Sequence, residues 1–223
     1  NKVLSLGQGI ESRDLADGAR LIVGKPAPVF WGAVYDGTYP SPTELDEIPG
    51  YQAGLKPGDA KFKDVNGNGK YDGANDYAII GNPEPKFFGG VNSSLKYKRF
   101  SLNVFCSFVT GRNIFNGYLS DYLNGSRSFQ SWGSVAGPAA ITNLLNEFWT
   151  NPGDQTKFPR LVYPNGTNMD PWNIGSSYFV ENGAFIKVKQ ATLTYTFPES
   201  WIRGMKLNRV NIYGMAENLY TYK

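Results

Sequence analysis

The oxygen-rich run DVNGNGKYDGAND, residues 64–76, is the stretch whose spacing suits an ion. Asp64, Asn66 and Asn68 fall at alternate positions, Gly69 stands sixth where such a loop must bend, the backbone carbonyl of Lys70 is seventh, and Asp72 is ninth. Oxygen donors at this spacing can wrap a hard cation such as Ca²⁺. The twelfth position, where a bidentate carboxylate belongs, holds Asn75, and Asp76 follows one residue late. Fewer carboxylates weaken a cation site, and a run rich in Asx and Gly makes stable turns without metal. Two readings stand at this point: a calcium loop on Asp64, Asn66, Asn68, Lys70, Asp72 and Asp76, or a plain Asx turn.

Other chemistry is thin. The 223 residues contain no histidine, which removes Ser-His-Asp and Cys-His catalysis and nearly all zinc sites from this chain. The single cysteine, Cys106, excludes an intrachain disulfide and reads as a small hydrophobe on an apolar strand face. Glycoside hydrolysis would need paired carboxylates; Asp121, Glu147, Asp154 and Asp170 qualify only by type, and no spacing singles out a pair. No catalysis is predicted. Four aromatic residues in a long connection, Trp132, Trp149, Tyr163 and Trp172, could stack on sugar or peptide, or pack that connection against its neighbours. The net charge of +3 comes from scattered Lys and Arg, not from a stripe that would hold nucleic acid.

The elements behind these residues read as β-structure. Charged residues are 18% and aromatics 15%, with 26 glycines, a balance that favours strands and turns over helices. The strongest pattern is a hairpin over residues 87–109. Phe87, Val91, Leu95 and Tyr97 share one face against Asn92, Ser94 and Lys96. After a turn at Lys98-Arg99 the parity flips, and Phe100, Leu102, Val104, Cys106 and Phe108 oppose Ser101, Asn103 and Ser107. Alternation over about ten residues exceeds an ordinary strand and matches the roughly 9–11 tilted residues that cross a bilayer.

Around the hairpin, residues 1–86 form strand ends and loops, with NKVLSL as a strand end and a helical turn at Thr43–Ile48. Residues 110–178 form a long loop with one helix pattern on Ile141, Leu144, Leu145 and Phe148. Residues 179–223 hold two more long strands, with Ala191, Leu193, Tyr195 and Phe197 alternating with threonines, and Val210, Ile212, Gly214 and Ala216 opposing Asn211, Tyr213 and Glu217. Aromatics gather near strand ends, where interfacial girdles belong.

Several segments in order resemble the SusC/RagA-type TonB-dependent outer-membrane transporters of Bacteroidota. They are NKVLSL, VFWGAVYDGTYPSPTELD, PGDAKFKDVNGNGKYD, IIGNPEPKFFGGVNSSLKYKRFSLNVFCSFVTGRNIFN, WTNPGDQTKFPRL, SSYFVENGAFIKVKQATLTYTFP and VNIYGMAENLYTY. The resemblance implies an all-β fold: the C-terminal strands and long extracellular loops of a large antiparallel transmembrane β-barrel of about 22 strands. It implies a Gram-negative outer-membrane location and import of oligosaccharide or peptide. The implied partners are a SusD-like surface lipoprotein and TonB, the latter through a segment not present in this chain. Asn68 and the late Asp76 depart from the family's loop, where Asp is favoured. The rival reading is a soluble secreted β-sandwich that binds glycans and holds a structural calcium; it accounts for the Asx loop and the aromatics but not for the strand length.

Overall fold

In the computed structural model, residues 1–15, 18–39, 55–117, 119, 147–154, 156, 158–160 and 175–223 are described. They form twelve strands: β1 (Ser12–Asp14), β2 (Ala19–Ile22), β3 (Val29–Gly32), β4 (Tyr35–Thr38), β5 (Ala60–Phe62), β6 (Ala78–Gly81), β7 (Phe87–Tyr97), β8 (Phe100–Thr110), β9 (Asn113–Phe115), β10 (Val180–Asn182), β11 (Phe185–Thr196) and β12 (Asn211–Tyr222). Two units emerge, each made from two stretches of sequence. The first is Asn1–Pro83 with Ile114–Glu181, and the second Glu84–Asn113 with Asn182–Lys223.

In the first unit, Gly and Pro interrupt the apolar runs, so its strands stay at three or four residues. They assemble as a sheet in the order β1-β2-β3-β6, a β4-β5 pair and a β9-β10 pair. Residues 1–10 contain no strand; Val3 exchanges backbone hydrogen bonds with Lys25 and Gly24 at 2.9 Å each, and the Asn1 side-chain amide donates to the Ala27 carbonyl at 2.8 Å. The core is aromatic. Phe148, Phe158 and Phe179 form one buried cluster, and Ala33, Ala60, Phe62 and Tyr71 another. A chain of ring contacts joins them: Phe158 to Tyr178 at 6.3 Å, Tyr178 to Tyr35 at 4.9 Å, and Tyr35 to Phe62 at 6.2 Å. Burial pushes the Tyr35 hydroxyl up to about 12. Burial likewise raises Tyr178, with the neighbouring Tyr35 and Glu147 adding to it, so both phenols stay neutral at pH 7. The helical patterns expected at Thr43–Ile48 and from Ile141 to Leu145 lie outside the described residues.

The second unit is one antiparallel sheet in the order β12-β11-β8-β7, with strands of 11 or 12 residues. The expected hairpin turn is there: β7 and β8 are separated only by Lys98 and Arg99, with Lys98 in the left-handed region at φ 53°. Glycines at the start of β7 are covered by rings from β8. A Cβ on Gly90 would stand 2.7 Å from the Phe105 ring, so that ring replaces the missing side chain.

Sequence parity alone misreads β11. Ile186 and Val188 are even-numbered apolar residues, whereas Ala191, Leu193 and Tyr195 are odd. A bulge between Val188 and Gln190 resolves this, because Val188 pairs with Cys106 while Gln190 pairs with Phe105. The extra residue, Lys189, flips the parity and brings both apolar sets to one face. Both β7 and β12 are edge strands with open hydrogen-bonding rows. In lipid such open edges would have to be paired with further strands, since only a closed barrel satisfies them there.

Candidate functional site

Pairing registers sort the long sheet into two chemical faces. One face carries, row by row across the four strands, Tyr97-Phe100-Tyr195-Ile212, Leu95-Leu102-Leu193-Gly214, Ser93-Val104-Ala191-Ala216 and Val91-Cys106-Val188-Tyr220. No charged residue stands in these rows, and aromatic residues mark their ends. Leu95 is 63% exposed and Val91 61%, so nothing within the unit covers this face. The other face carries Lys96-Ser101-Thr194-Tyr213, Ser94-Asn103-Thr192-Met215 and Asn92-Phe105-Gln190-Glu217. Here side chains bond along and across strands: Ser94 Oγ donates to Asn103 Oδ1, and Gln190 Nε2 donates to Thr192 Oγ1 at 3.3 Å and approaches Met215 Sδ at 3.1 Å. A depression of 330 Å³ lined by Asn92, Asn103, Phe105, Gln190 and Thr192 sits on this face. Such a sheet can separate hydrocarbon from a polar lumen.

The Asx loop belongs to the first unit, between β5 and β6. Asp64 Oδ1 accepts the amides of Gly67 at 2.6 Å and Asn68 at 3.3 Å, and its Oδ2 that of Gly69 at 2.7 Å. Asn66 Oδ1 accepts from the Asn68 amide, and Asn68 Oδ1 from the Lys70 amide. Asp72 accepts from the side-chain amides of Asn66, Asn68 and Asn75. Asp76 is fully buried, with Oδ1 accepting from Val65 at 2.9 Å and Asn66 at 3.0 Å, and Oδ2 from Asp72 at 2.7 Å. Burial pushes this carboxyl up, but the three backbone amides together outweigh it and hold the group below its ordinary 3.8. Every side-chain oxygen of these five residues thus accepts an N–H. Among the described residues, no three Asp, Glu, His or Cys side chains are grouped to hold a metal.

No protein-family model matches the chain. It is similar to TonB-dependent receptor P26 of Formosa agariphila, 27% identical over 98% of this chain and 21% of that receptor. TonB-dependent receptor P3 of the same organism is 28% identical over 86% of the chain and 17% of its own length. Among solved structures, the RagAB peptide importer in its open-open state aligns over the whole chain and 22% of the importer chain, with a TM-score of 0.67 at 21% identity. The closed-closed state gives the same values. Sequence and fold together make the chain similar to part of a SusC/RagA-type TonB-dependent transporter.

It spans about a fifth of the length of the curated relatives it matches. For a transporter of this type the two-faced sheet is barrel wall, open here at both edges, and its location is the outer membrane. Of the aromatic residues expected to meet substrate, Trp132, Tyr163 and Trp172 lie outside the described residues. Trp149 is 7% exposed. Its ring lies so close over Gly58, which has φ +85°, that a Cβ there would come within 2.1 Å of it. Its amide donates to the Phe158 carbonyl at 3.0 Å, and the next strand of packing is closed by the Arg160–Asp59 ion pair. Trp149 therefore works in the packing of the first unit.

Among the carboxylates considered for catalysis, Asp121 and Asp170 also lie outside the described residues. Asp154 accepts from the amides of Asn151 and Thr150 and from the Thr150 hydroxyl. Those bonds, the Asn151 amide foremost, lower its carboxyl below the usual range, a capping role within a turn. What sequence reading missed is Gln190. It shares the register and parity of Thr192 and Thr194, which puts it in the polar row with Asn92 and Glu217, and that parity was the available signal.

Proposed function

We propose that this chain supplies C-terminal barrel strands and surface loops to a TonB-dependent outer-membrane importer of oligosaccharide or peptide. The observation that carries the reading is the uncharged, uncovered face of a sheet whose strands run 11–12 residues, backed by a polar, hydrogen-bonded face. That is what a wall between lipid and lumen requires. A β-sandwich would bury one face of this sheet under a second, whereas β7 and β12 are exposed along nearly their whole length within the unit.

In this reading a SusD-like lipoprotein meets the surface loops, and TonB engages a part of the protein other than these residues. The substrate class rests on family resemblance; the neighbouring structures named as peptide importers support the fold at 21% identity. Trp132, Tyr163 and Trp172 are the proposed substrate contacts, on sequence grounds. For the Asx loop, the complete set of amide donors supports the plain turn. Bound calcium would have to replace those bonds, so a thermal-stability titration with Ca²⁺ and chelator decides between the two.

Membrane fractionation of the native full-length protein, then pull-down in mild detergent, tests the whole reading. Recovery in the outer membrane with a lipoprotein is the expected result, followed by uptake of labelled peptides or oligosaccharides. Recovery in the aqueous fraction overturns it.

A further inference from the structure

The end of the long sheet that carries its short connections combines an aromatic ladder with cations that meet no carboxylate among the described residues, Lys98 standing over the Tyr97 ring and Arg209 donating to Asn211. Rings run from the uncharged face toward the turn: Phe100 to Tyr195 at 4.9 Å, Tyr195 to Phe197 at 5.2 Å and Phe197 to Trp201 at 6.3 Å. Trp201 is 67% exposed, although the next residue, Ile202, is buried and anchors the helical turn Glu199–Ile202. Just beyond the ladder stand Lys98 and Arg99 of one connection and Arg203, Lys206 and Arg209 of the other, all exposed. The two connections lie at the same end, since the amide of Thr196 bonds the carbonyl of Arg99 at 2.9 Å. Among the described residues none of the five cations pairs with a carboxylate, and Glu199 is the one acid in these two connections.

An exposed Trp beside an apolar face marks the depth of a membrane interface. Cations placed just outside that depth meet lipid phosphates, and each gains from an anionic leaflet. We propose that this end of the sheet binds the anionic headgroups of phospholipid in the leaflet on the short-turn side, with Trp201 at the acyl boundary and Arg203, Lys206 and Arg209 on the phosphates. The inference rests on the membrane reading above and deepens it by naming a lipid partner.

The test uses full-length protein reconstituted in nanodiscs of phosphatidylcholine, alone or mixed with phosphatidylglycerol, followed by quantification of the lipid that stays bound after mild detergent extraction. Wild-type protein is expected to retain phosphatidylglycerol in preference. The triple variant R203Q/K206Q/R209Q is expected to lose that preference by roughly fivefold per charge removed, and raised salt to weaken it in wild type. The variant R203K/R209K, which keeps the charge, should retain it and so separates charge from folding. Equal retention of both lipids by wild type, or an unchanged preference in the triple variant, overturns the proposal while leaving the membrane reading intact. Failure to enter phosphatidylcholine discs at all overturns both.

Discussion

The two units use the same aromatic residues in opposite ways. In the first, Phe158 and Phe179 are each 1% exposed and Phe148 3%, packed ring against ring. In the second, Phe87 is 71% exposed, Tyr97 71% and Tyr222 64%. The first unit is stabilised by withdrawing apolar surface from water. Apart from Ile202, the second buries no apolar side chain, so its rings face outward and its stability depends on a solvent that accepts them. Aromatic content alone therefore does not separate a core from a membrane wall; the partner across each ring does.

The largest break in this comparison comes from truncating a ring that has an interior to leave. Phe158→Ala should cost the first unit about 3–5 kcal/mol, read by chemical denaturation, because a closed aromatic cluster would be left with a cavity. Phe87→Ala in bilayer-reconstituted protein should change stability far less.

Charge on the outward face comes next. Val104→Arg should destabilise the reconstituted protein by about 2–4 kcal/mol, whereas Thr192→Arg on the polar face should stay near neutral. Equal effects would mean that the two faces see one solvent.

Asp76 tests the first unit at its loop. Asp76→Asn should cost about 1–3 kcal/mol in thermal or chemical unfolding, since hydrogen bonds to a buried charge are lost or weakened. The pH sign follows from its lowered carboxyl. Its contribution is fully present above the ordinary carboxylate range and is lost as pH falls through the lower folded value. Wild type should therefore lose stability under acid more steeply than the Asn variant. The smallest effect is expected at Ser94→Ala, which removes one exposed hydroxyl bond to Asn103 on the polar face and should cost less than about 1 kcal/mol.

Much of the long sheet is legible in the sequence because strand alternation is a local property. Apolar and polar residues alternate at most positions from Phe87 to Phe108, and Lys98-Arg99 reverses the parity, so the hairpin and the main character of both faces can be written down before any pairing is known. The Asx spacing of residues 64–76 likewise announces a tight, oxygen-lined loop. Less legible is anything that depends on a distant partner. Whether Trp149 meets a ligand or packs is decided by Gly58, some ninety positions earlier, coming close enough to lie under its ring.

The sequence by itself determined the period of the strands, the place of the hairpin turn and the oxygen-rich spacing of residues 64–76, because each follows from neighbours along the chain. Tertiary structure decided that β11 lies between β8 and β12, that a bulge at Lys189 joins two apolar sets of opposite parity, and that Asp76 turns inward onto three amides. Those outcomes depend on which backbone donors and side chains come together across long separations, and local pattern carries no record of that.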